Sequence, residues 1–424
     1  MGARNIEPVR GRLDADLEAT PSKSVTHRAL VAAALARGES VLANPLDAED
    51  TRATRNGLEQ LGVPIRDDRG CWVVTGSEGR LAGGGCIALG DSGTSLRLLA
   101  AVATLGRRSS RLEGSPRLTE RPLAALSRAL RELGAEIHCD PEGEGLPLDA
   151  GGGAPPLGGA VRIPADQSSQ FASALLMIGP MLERGLELTL APPAVSLPYV
   201  ELTAAVLEEF GGDLHRRSEL EWQVGSGGLR GRSFTIEGDH SSAAFFLTAA
   251  AVVGGRVRVA GLRRDSLQAD ARLTELLARL NCKVRQADDR LEVEGTGRIP
   301  AFEVDLSQSP DLAPAVAILA LFAEGPSVIR GVAHLRHKES DRLELLARNL
   351  RALGRDALAL DERLVVGAAP PCLGGAEIET GSDHRMAMAF AVAGLKLEGV
   401  RIDDSECVAK SNRDFWDQLA ELTG

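Results

Sequence analysis

The chain has 424 residues, 44% of them apolar, enough for two or three domains with sizeable cores. Aromatic residues make up only 3%, so those cores must be built from Ala, Leu, Val and Ile. A net charge of -11 argues against a general nucleic-acid binder but leaves room for a local basic pocket. The six cysteines are scattered with no CxxC pair, which reads as reduced structural thiols in a cytoplasmic protein, not a disulfide frame or a zinc site. No signal-peptide apolar region follows Met1. The longest apolar runs, Ala243 to Val253 and Ala313 to Ala323, are too short to span a bilayer, so no membrane association is expected.

In chain order, the first element is TPSKSVTHRALVAAALARGESVL, from Thr20 to Leu42. Lys23, Ser24, Thr26 and Arg28 crowd the entrance of an Ala/Leu-rich helix. Ser and Thr are ordinary caps there. Lys and Arg are not, because a helix N-terminus is the positive end of the dipole. Their presence suggests an anion site.

The same grammar recurs at Asp91 (DSGTSLRLLAAVATLG), Ser168 (SSQFASALLMIGPML), Asp239 (DHSSAAFFLTAAAVVG), Ser309 (SPDLAPAVAILALF) and Ser382 (SDHRMAMAFAVAGL). A Ser, Thr or Asp opens each copy, a small-residue apolar helix follows, and a short strand comes after a turn. A second, amphipathic helix follows, most often ending in Gly or Asn at the left-handed position. Strand pairs such as VPIRDDRGCWVVTG and CKVRQADDRLEVEG come next. The repeated unit is helix, strand, helix, strand, strand, about seventy residues long and used six times. Solenoid repeats are shorter, so these units are expected to form small α/β subdomains grouped into lobes. The apolar helices are buried all round, and their polar starts must aim somewhere. Converging starts would make an electropositive focus suited to a small polyanion. Lys23, Arg28, Arg97, Arg121, Lys338, Arg342, Arg385 and Lys410 all lie near unit starts.

Single motifs say less. LRHKESDRLELL places Lys338 and Arg342 four apart, hence on one helix face, with Glu339 beside them. SPRLTERPL sets Arg121 before Pro122, near a helix entrance. In GSDHRMAMAF, Asp383 reads as a cap, His384 as a structural histidine, and Arg385 stands at the entrance. The seven histidines show no metal-ligand spacing, and the Gly-rich stretches GGGAPPLGG from Gly151 and GSGGLRG from Gly225 match no phosphate loop and read as turns.

Jointly, PSKSVTHRAL, GDSGTSLRLL, PRLTERPL, QSSQFASALLM, SLPYVELT, EGDHSSAAFFL, LRHKESDRL, DHRMAMAF and VAKSNRDFW occur in this order from about Lys23 to Phe415. Together they closely resemble the 5-enolpyruvylshikimate-3-phosphate synthases of the enolpyruvyl transferase family. The resemblance implies an α/β fold of two lobes, each of three βαβαββ units about a pseudo-threefold axis, an inside-out α/β barrel. It divides the chain into a lobe of residues 20–235 and a second of 1–19 plus 236–424, with the active site in the cleft between them. It implies transfer of the enolpyruvyl group of phosphoenolpyruvate to the 5-hydroxyl of shikimate 3-phosphate, releasing phosphate, on the route to chorismate and the aromatic amino acids. The partners it implies are these two small molecules, with no metal, no cofactor and a monomeric state.

Carried over by motif, shikimate 3-phosphate falls to Lys23, Ser24, Arg28, Ser168, Ser169, Gln170, Ser196, Tyr199, Asp311, His334 and Lys338. Phosphoenolpyruvate falls to Lys23, Gly93, Thr94, Arg121, Gln170, Arg342, Arg385 and Lys410. Asp311 and Glu339 are the implied general acid–base carboxylates, and Lys23, Arg385 and Lys410 complete the catalytic set. Two residues depart from the family's pattern. His334 stands where many relatives have Asn, and Asp91 replaces the commoner Asn beside Gly93. Asp91 is expected to act as a helix N-cap turned away from the phosphate. The rival readings are a UDP-N-acetylglucosamine enolpyruvyl transferase, disfavoured because Arg111 to Pro122 holds no Cys, and an inactive anion-binding paralogue, disfavoured by Lys23, Asp311, Glu339, Arg385 and Lys410.

Overall fold

The computed structural model describes residues 2–139, 145–368 and 372–423. The chain divides into two compact units, one of Pro21–Ile236 and one of Met1–Thr20 with Glu237–Gly424. Each has its own apolar core.

The unit of Pro21–Ile236 holds three four-stranded sheets of one pattern. In each, a first strand runs parallel to a second, and a hairpin then extends the sheet antiparallel. Ser233–Thr235 pairs with Glu39–Ala43, followed by Cys71–Thr75 and Ile65–Asp68. Cys86–Ala88 pairs with Ser110–Glu113, followed by Leu148–Ala150 and Ile137–Cys139. Gly159–Pro164 pairs with Leu186–Ala191, followed by Glu221–Val224 and Leu214–Ser218. The other unit repeats the pattern twice. Leu13–Glu18 pairs with Gly255–Ala260, and Glu303–Asp305 with Ser327–Arg330.

The sixth repeat departs from the expected unit. Glu377–Ile378 runs parallel to Val400–Ile402, but the sheet has three strands and the third is Arg4–Ile6 from the start of the chain. Arg4–Ile6 takes the antiparallel place beside Val400–Ile402 that a hairpin strand fills in the other sheets, and so covers that edge. Every sheet of the described residues is open, so no closed barrel forms.

The apolar helices are Lys23–Leu35, Gly93–Ala103, Gln170–Ile178, His240–Val253, Ala313–Leu321 and His384–Gly394. From Ala29 to Leu35 no residue is exposed, and Ala313–Leu321 is buried throughout. Such helices need small side chains to pack closely on all sides, which explains the Ala-rich, aromatic-poor composition. One glycine position marks the repeat physically. Gly76, Gly151 and Gly295 each follow or end the last hairpin strand of their sheet. A Cβ there would lie 2.1 Å from Ala36 O, 2.4 Å from Ala103 O and 2.2 Å from Ala250 O. Each hairpin thus presses its backbone onto the last turn of its own buried helix, where no side chain fits. No helix of the described residues is long and apolar enough to cross a membrane, and all six cysteines are free thiols.

Candidate active site

Three helix starts of the Pro21–Ile236 unit are tied to one another by side chains. Ser22 caps the first helix, its hydroxyl accepting from Val25 N at 3.4 Å. Lys23, the first helical residue, donates to Asp50 at 2.9 Å. Asp50 lies in the first turn of the helix Glu49–Gln60, where a carboxylate is favoured, so it offsets the cost of a cation at the neighbouring helix start. Asp50 was not singled out from sequence; an acidic residue at N2 of an amphipathic helix looks ordinary. Ser95 donates to the Asp50 carbonyl at 3.0 Å and bonds Thr54 at 2.8 Å, and Thr54 bonds His27 Nδ1 at 2.7 Å. Burial lowers His27 to about 3, so it is neutral and structural.

Arg28 is buried, and its donors go to neutral acceptors. Nε reaches Thr203 Oγ1 at 2.7 Å, Nη1 the Ser24 carbonyl at 2.9 Å, and Nη2 the Tyr199 carbonyl at 3.1 Å and Ser173 Oγ at 3.3 Å. Among the described residues it forms no ion pair with a carboxylate, and burial lowers it to about 10. A desolvated guanidinium without a counter-charge is costly, and it stands among Ser24, Ser173 and Tyr199.

The second helix start is capped by Ser92, which accepts from Ser95 N at 3.3 Å. Asp91 is therefore not the N-cap. Its carboxylate takes the hydroxyl of Ser115 instead, and Ser115 in turn caps the short helix Pro116–Thr119. Gly93 begins the helix with the guanidinium of buried Arg121 laid against it. A Cβ on Gly93 would lie 2.4 Å from Arg121 Cζ. Arg121 sits between two helices, with the next starting only at Ala124, so Pro122 precedes the helix and does not open it. At the third helix start, Ser168 Oγ accepts from Gln170 N at 3.2 Å, and Ser169 lies at the cap position without a side-chain capping bond. Gln170 donates to Thr94 at 3.0 Å, linking this start to the second. Ser196 stands before the helix Leu197–Glu209 at φ 57°, a left-handed conformation costly for a non-glycine residue.

The other unit gathers charged side chains around Arg342. Its Nε donates to Asp383 at 2.7 Å, its Nη2 to Glu339 at 2.7 Å and Asp383 at 3.3 Å, and its Nη1 to Asp311 at 3.1 Å. These bonds engage four of the five N–H groups of a guanidinium. Burial alone would lower Arg342; Asp383, Glu339 and Asp311 outweigh it and raise it. Asp383 also caps the helix His384–Gly394, accepting from Arg385 N at 3.0 Å. Arg385 Nη2 donates to Asp311 at 2.9 Å, and Lys338 Nζ stands 3.9 Å from the same carboxylate. Burial pushes Asp311 up, but Arg385, Lys338 and Arg342 together hold it well below the usual carboxylate range. Glu339 lies between Arg342 and Lys410, whose Nζ is 4.0 Å away. His334 is buried beside this group, its Nε2 with no hydrogen-bond partner among the described residues. Burial, then Lys338, lowers it to about 3, so it is neutral.

Lys338 and Arg342 do not share a helix face as their spacing suggested. The helix begins at Arg342 under an Asp341 cap, and Lys338 ends a separate 3-10 turn, Ala333–His337. Asp311, placed by the turn Pro310–Leu312, is what both approach.

Six of the eight cations found near unit starts are buried: Arg28, Arg97, Arg121, Arg342, Arg385 and Lys410. Solvated helix ends would leave them exposed, so these charges belong to the interior of each unit. The family model for EPSP synthase (3-phosphoshikimate 1-carboxyvinyltransferase) matches residues 8–419. The chain belongs to the EPSP synthase family. It is 42% identical over 412 residues to the 3-phosphoshikimate 1-carboxyvinyltransferase of Methanoculleus marisnigri, covering 96% of this chain and 97% of that protein. It is 41% identical to the protein of that name from Syntrophobacter fumaroxidans, covering 99% of each. The solved EPSP synthase of Acinetobacter baumannii superposes with a TM-score of 0.80 at 28% identity, covering 99% of this chain and 98% of that one. EPSP synthase membership thus accounts for the repeated units and for the ordered motifs together.

Proposed function

We propose that this chain is a 3-phosphoshikimate 1-carboxyvinyltransferase (EC 2.5.1.19), transferring the enolpyruvyl group of phosphoenolpyruvate to the 5-hydroxyl of shikimate 3-phosphate with release of phosphate. The observation that carries this reading is the set of buried cations at helix starts, in a chain of this family. Arg and Lys make charge-assisted bonds to phosphate and carboxylate, and the two substrates together carry two of each.

In this reading, Ser24, Arg28, Ser168, Ser169, Ser196, Tyr199, His334 and Lys338 bind shikimate 3-phosphate, while Gly93, Thr94, Arg121, Arg342, Arg385 and Lys410 hold phosphoenolpyruvate. Lys23 and Gln170 serve both. Addition requires a proton delivered to the methylene carbon of phosphoenolpyruvate and one removed from the attacking hydroxyl. Elimination takes a proton from the new methyl group, re-forms the C=C bond and expels phosphate, leaving the former hydroxyl oxygen in an enol ether. Asp311 suits the accepting role: it is ionised in the ligand-free protein, and substrate anions that draw on Arg385 and Lys338 would leave it more basic. Glu339 is the complementary proton carrier. A cytoplasmic, monomeric enzyme fits the same reading.

A phosphate-release assay with both substrates tests it, with UDP-N-acetylglucosamine as the competing acceptor. Release that requires shikimate 3-phosphate supports the reading. Release only with the nucleotide sugar, or none with either acceptor, overturns it.

Gly93→Ala is expected to fold, since Ala is the better helix former. The new Cβ must displace the Arg121 guanidinium, so KM for phosphoenolpyruvate should rise by about tenfold or more with KM for shikimate 3-phosphate little changed. Unaltered KM for phosphoenolpyruvate would remove Arg121 from that subsite. Asp91→Asn should leave the melting temperature and both KM values nearly unchanged, because an amide oxygen can still accept the Ser115 hydroxyl. A tenfold fall in KM for phosphoenolpyruvate would instead show that the Asp91 charge opposes the phosphate.

A further inference from the structure

Asp270 belongs to none of the motifs above. It lies in the 3-10 turn Ala269–Arg272 and is 1% exposed. One carboxyl oxygen accepts the hydroxyl of Ser241, in the first turn of the helix His240–Val253. The other, Oδ1, is buried with no hydrogen-bond partner among the described residues. That helix packs on the Asp270 turn and also on the turn that carries Asp311. Asp270 therefore feels both Asp311 and Arg385. A carboxylate with an unmet acceptor in an apolar surround is costly as an anion, and a proton relieves it.

We propose that Asp270 is a positioning residue for enolpyruvyl transfer: a buried carboxyl, anchored by Ser241, that governs how strongly Arg385 can hold a substrate anion. The inference rests on the function proposed above. With a proton on Asp270, Asp311 is the principal carboxylate facing Arg385. With Asp270 ionised, a second negative charge opposes the incoming anion. The charged or titratable groups around it are Asp311 from the turn Pro310–Leu312, Arg385 from the helix His384–Gly394, Asp239 and His240 at the start of the helix it touches, and Arg272 in its own turn. Burial pushes Asp270 up to about 7, Asp311 adds to this, and Arg385 and Ser241 oppose it. Burial lowers His240 below the ordinary imidazole value, with Asp239 opposing.

The test compares wild type, Asp270→Asn and Ser241→Ala from about pH 5.5 to about pH 9, reading KM for phosphoenolpyruvate at saturating shikimate 3-phosphate. Asn reproduces the shape of the protonated acid and cannot ionise. Substrate titration is common to all three proteins and cancels in the ratio of KM values. The wild-type to Asp270→Asn ratio should be near one at the acid end and rise about threefold or more through neutrality. Ser241→Ala removes a donor to the anion, so its rise should move to higher pH. A flat ratio at every pH overturns the proposal, and so does an unmoved rise in Ser241→Ala if Asp270→Asn does not fold.

Thermal melts read the titration without turnover. A carboxyl raised in the native state supports stability below its unfolded value and loses that support as pH climbs through the native one. The melting temperature of Asp270→Asn should therefore gain on wild type as pH rises, and a constant gap also overturns the proposal. Wild type that shows no turnover sinks the proposed function; wild type that turns over with a flat ratio sinks only the role of Asp270.

Discussion

Asp311→Ala is expected to fold and to lose about 10²–10⁴-fold in kcat, the range a general acid–base group contributes. Asp311 sits on a one-turn 3-10 element held by its own unit, and the substitution removes no apolar packing. Its loss does free Arg385 and Lys338 of a counter-charge, and Arg342 keeps Asp383 and Glu339. Binding of phosphoenolpyruvate should then hold or tighten while turnover collapses. That split separates Asp311 from a substrate ligand, whose removal would raise KM. Asp311→Asn, which can still accept from the arginines, should be as slow as Asp311→Ala, because an amide cannot take a proton. The measurement is kcat with both substrates saturating, beside a melting curve. Turnover within about threefold of wild type in either variant would take Asp311 out of the proton traffic.

Much of this was legible in the sequence because repetition averages out local noise. A Ser or Asp before an apolar run is weak once, but Ser22, Ser92, Asp239 and Asp383 all cap buried helices through their side chains. The hairpin glycines Gly76 and Gly295 stood in the quoted strand pairs, although only packing shows that they lie on helix carbonyls. What escaped depends on contacts distant in sequence. Asp50 reaches Lys23 from the next helix, and Asp270 reaches Ser241 across 29 residues. Neither has a spacing that periodicity can detect. Helix limits misled in two places. Lys338 lies outside the helix that Arg342 begins, and Asp91 lies one residue outside its cap, so each side chain turns to a different partner. The sixth repeat differs for another reason: its antiparallel strand is Arg4–Ile6, nearly 400 residues earlier, and local pattern cannot reveal so distant a pairing.

Arg342→Ala is expected to cost about 3–5 kcal/mol of folding stability, the largest effect of any single substitution considered. Counting interactions alone would not predict this, because a buried ion pair is often no better than apolar packing. The asymmetry lies in breaking one. Arg342 is 2% exposed at its side chain and answers three carboxylates at once, so its removal strands Asp383, which has no exposure, and leaves Glu339, 11% exposed, with Lys410 at 4.0 Å. Asp383 retains the Arg385 amide and the Ser340 hydroxyl at 3.1 Å, but no guanidinium. Arg342→Lys should fall between, since an ammonium keeps the charge but cannot reproduce a planar fork to Asp383 and Glu339. Urea denaturation of the three proteins gives the comparison, read from midpoints at a common slope. Because Arg342 also fixes Asp311 and Glu339, Arg342→Lys should lose kcat by more than it raises KM for phosphoenolpyruvate. A rise in KM alone would confine Arg342 to holding phosphoenolpyruvate and take it out of the fixing of Asp311 and Glu339. A destabilisation of Arg342→Ala below about 1 kcal/mol would mean that the three carboxylates find other partners, and that this guanidinium does not hold the group together.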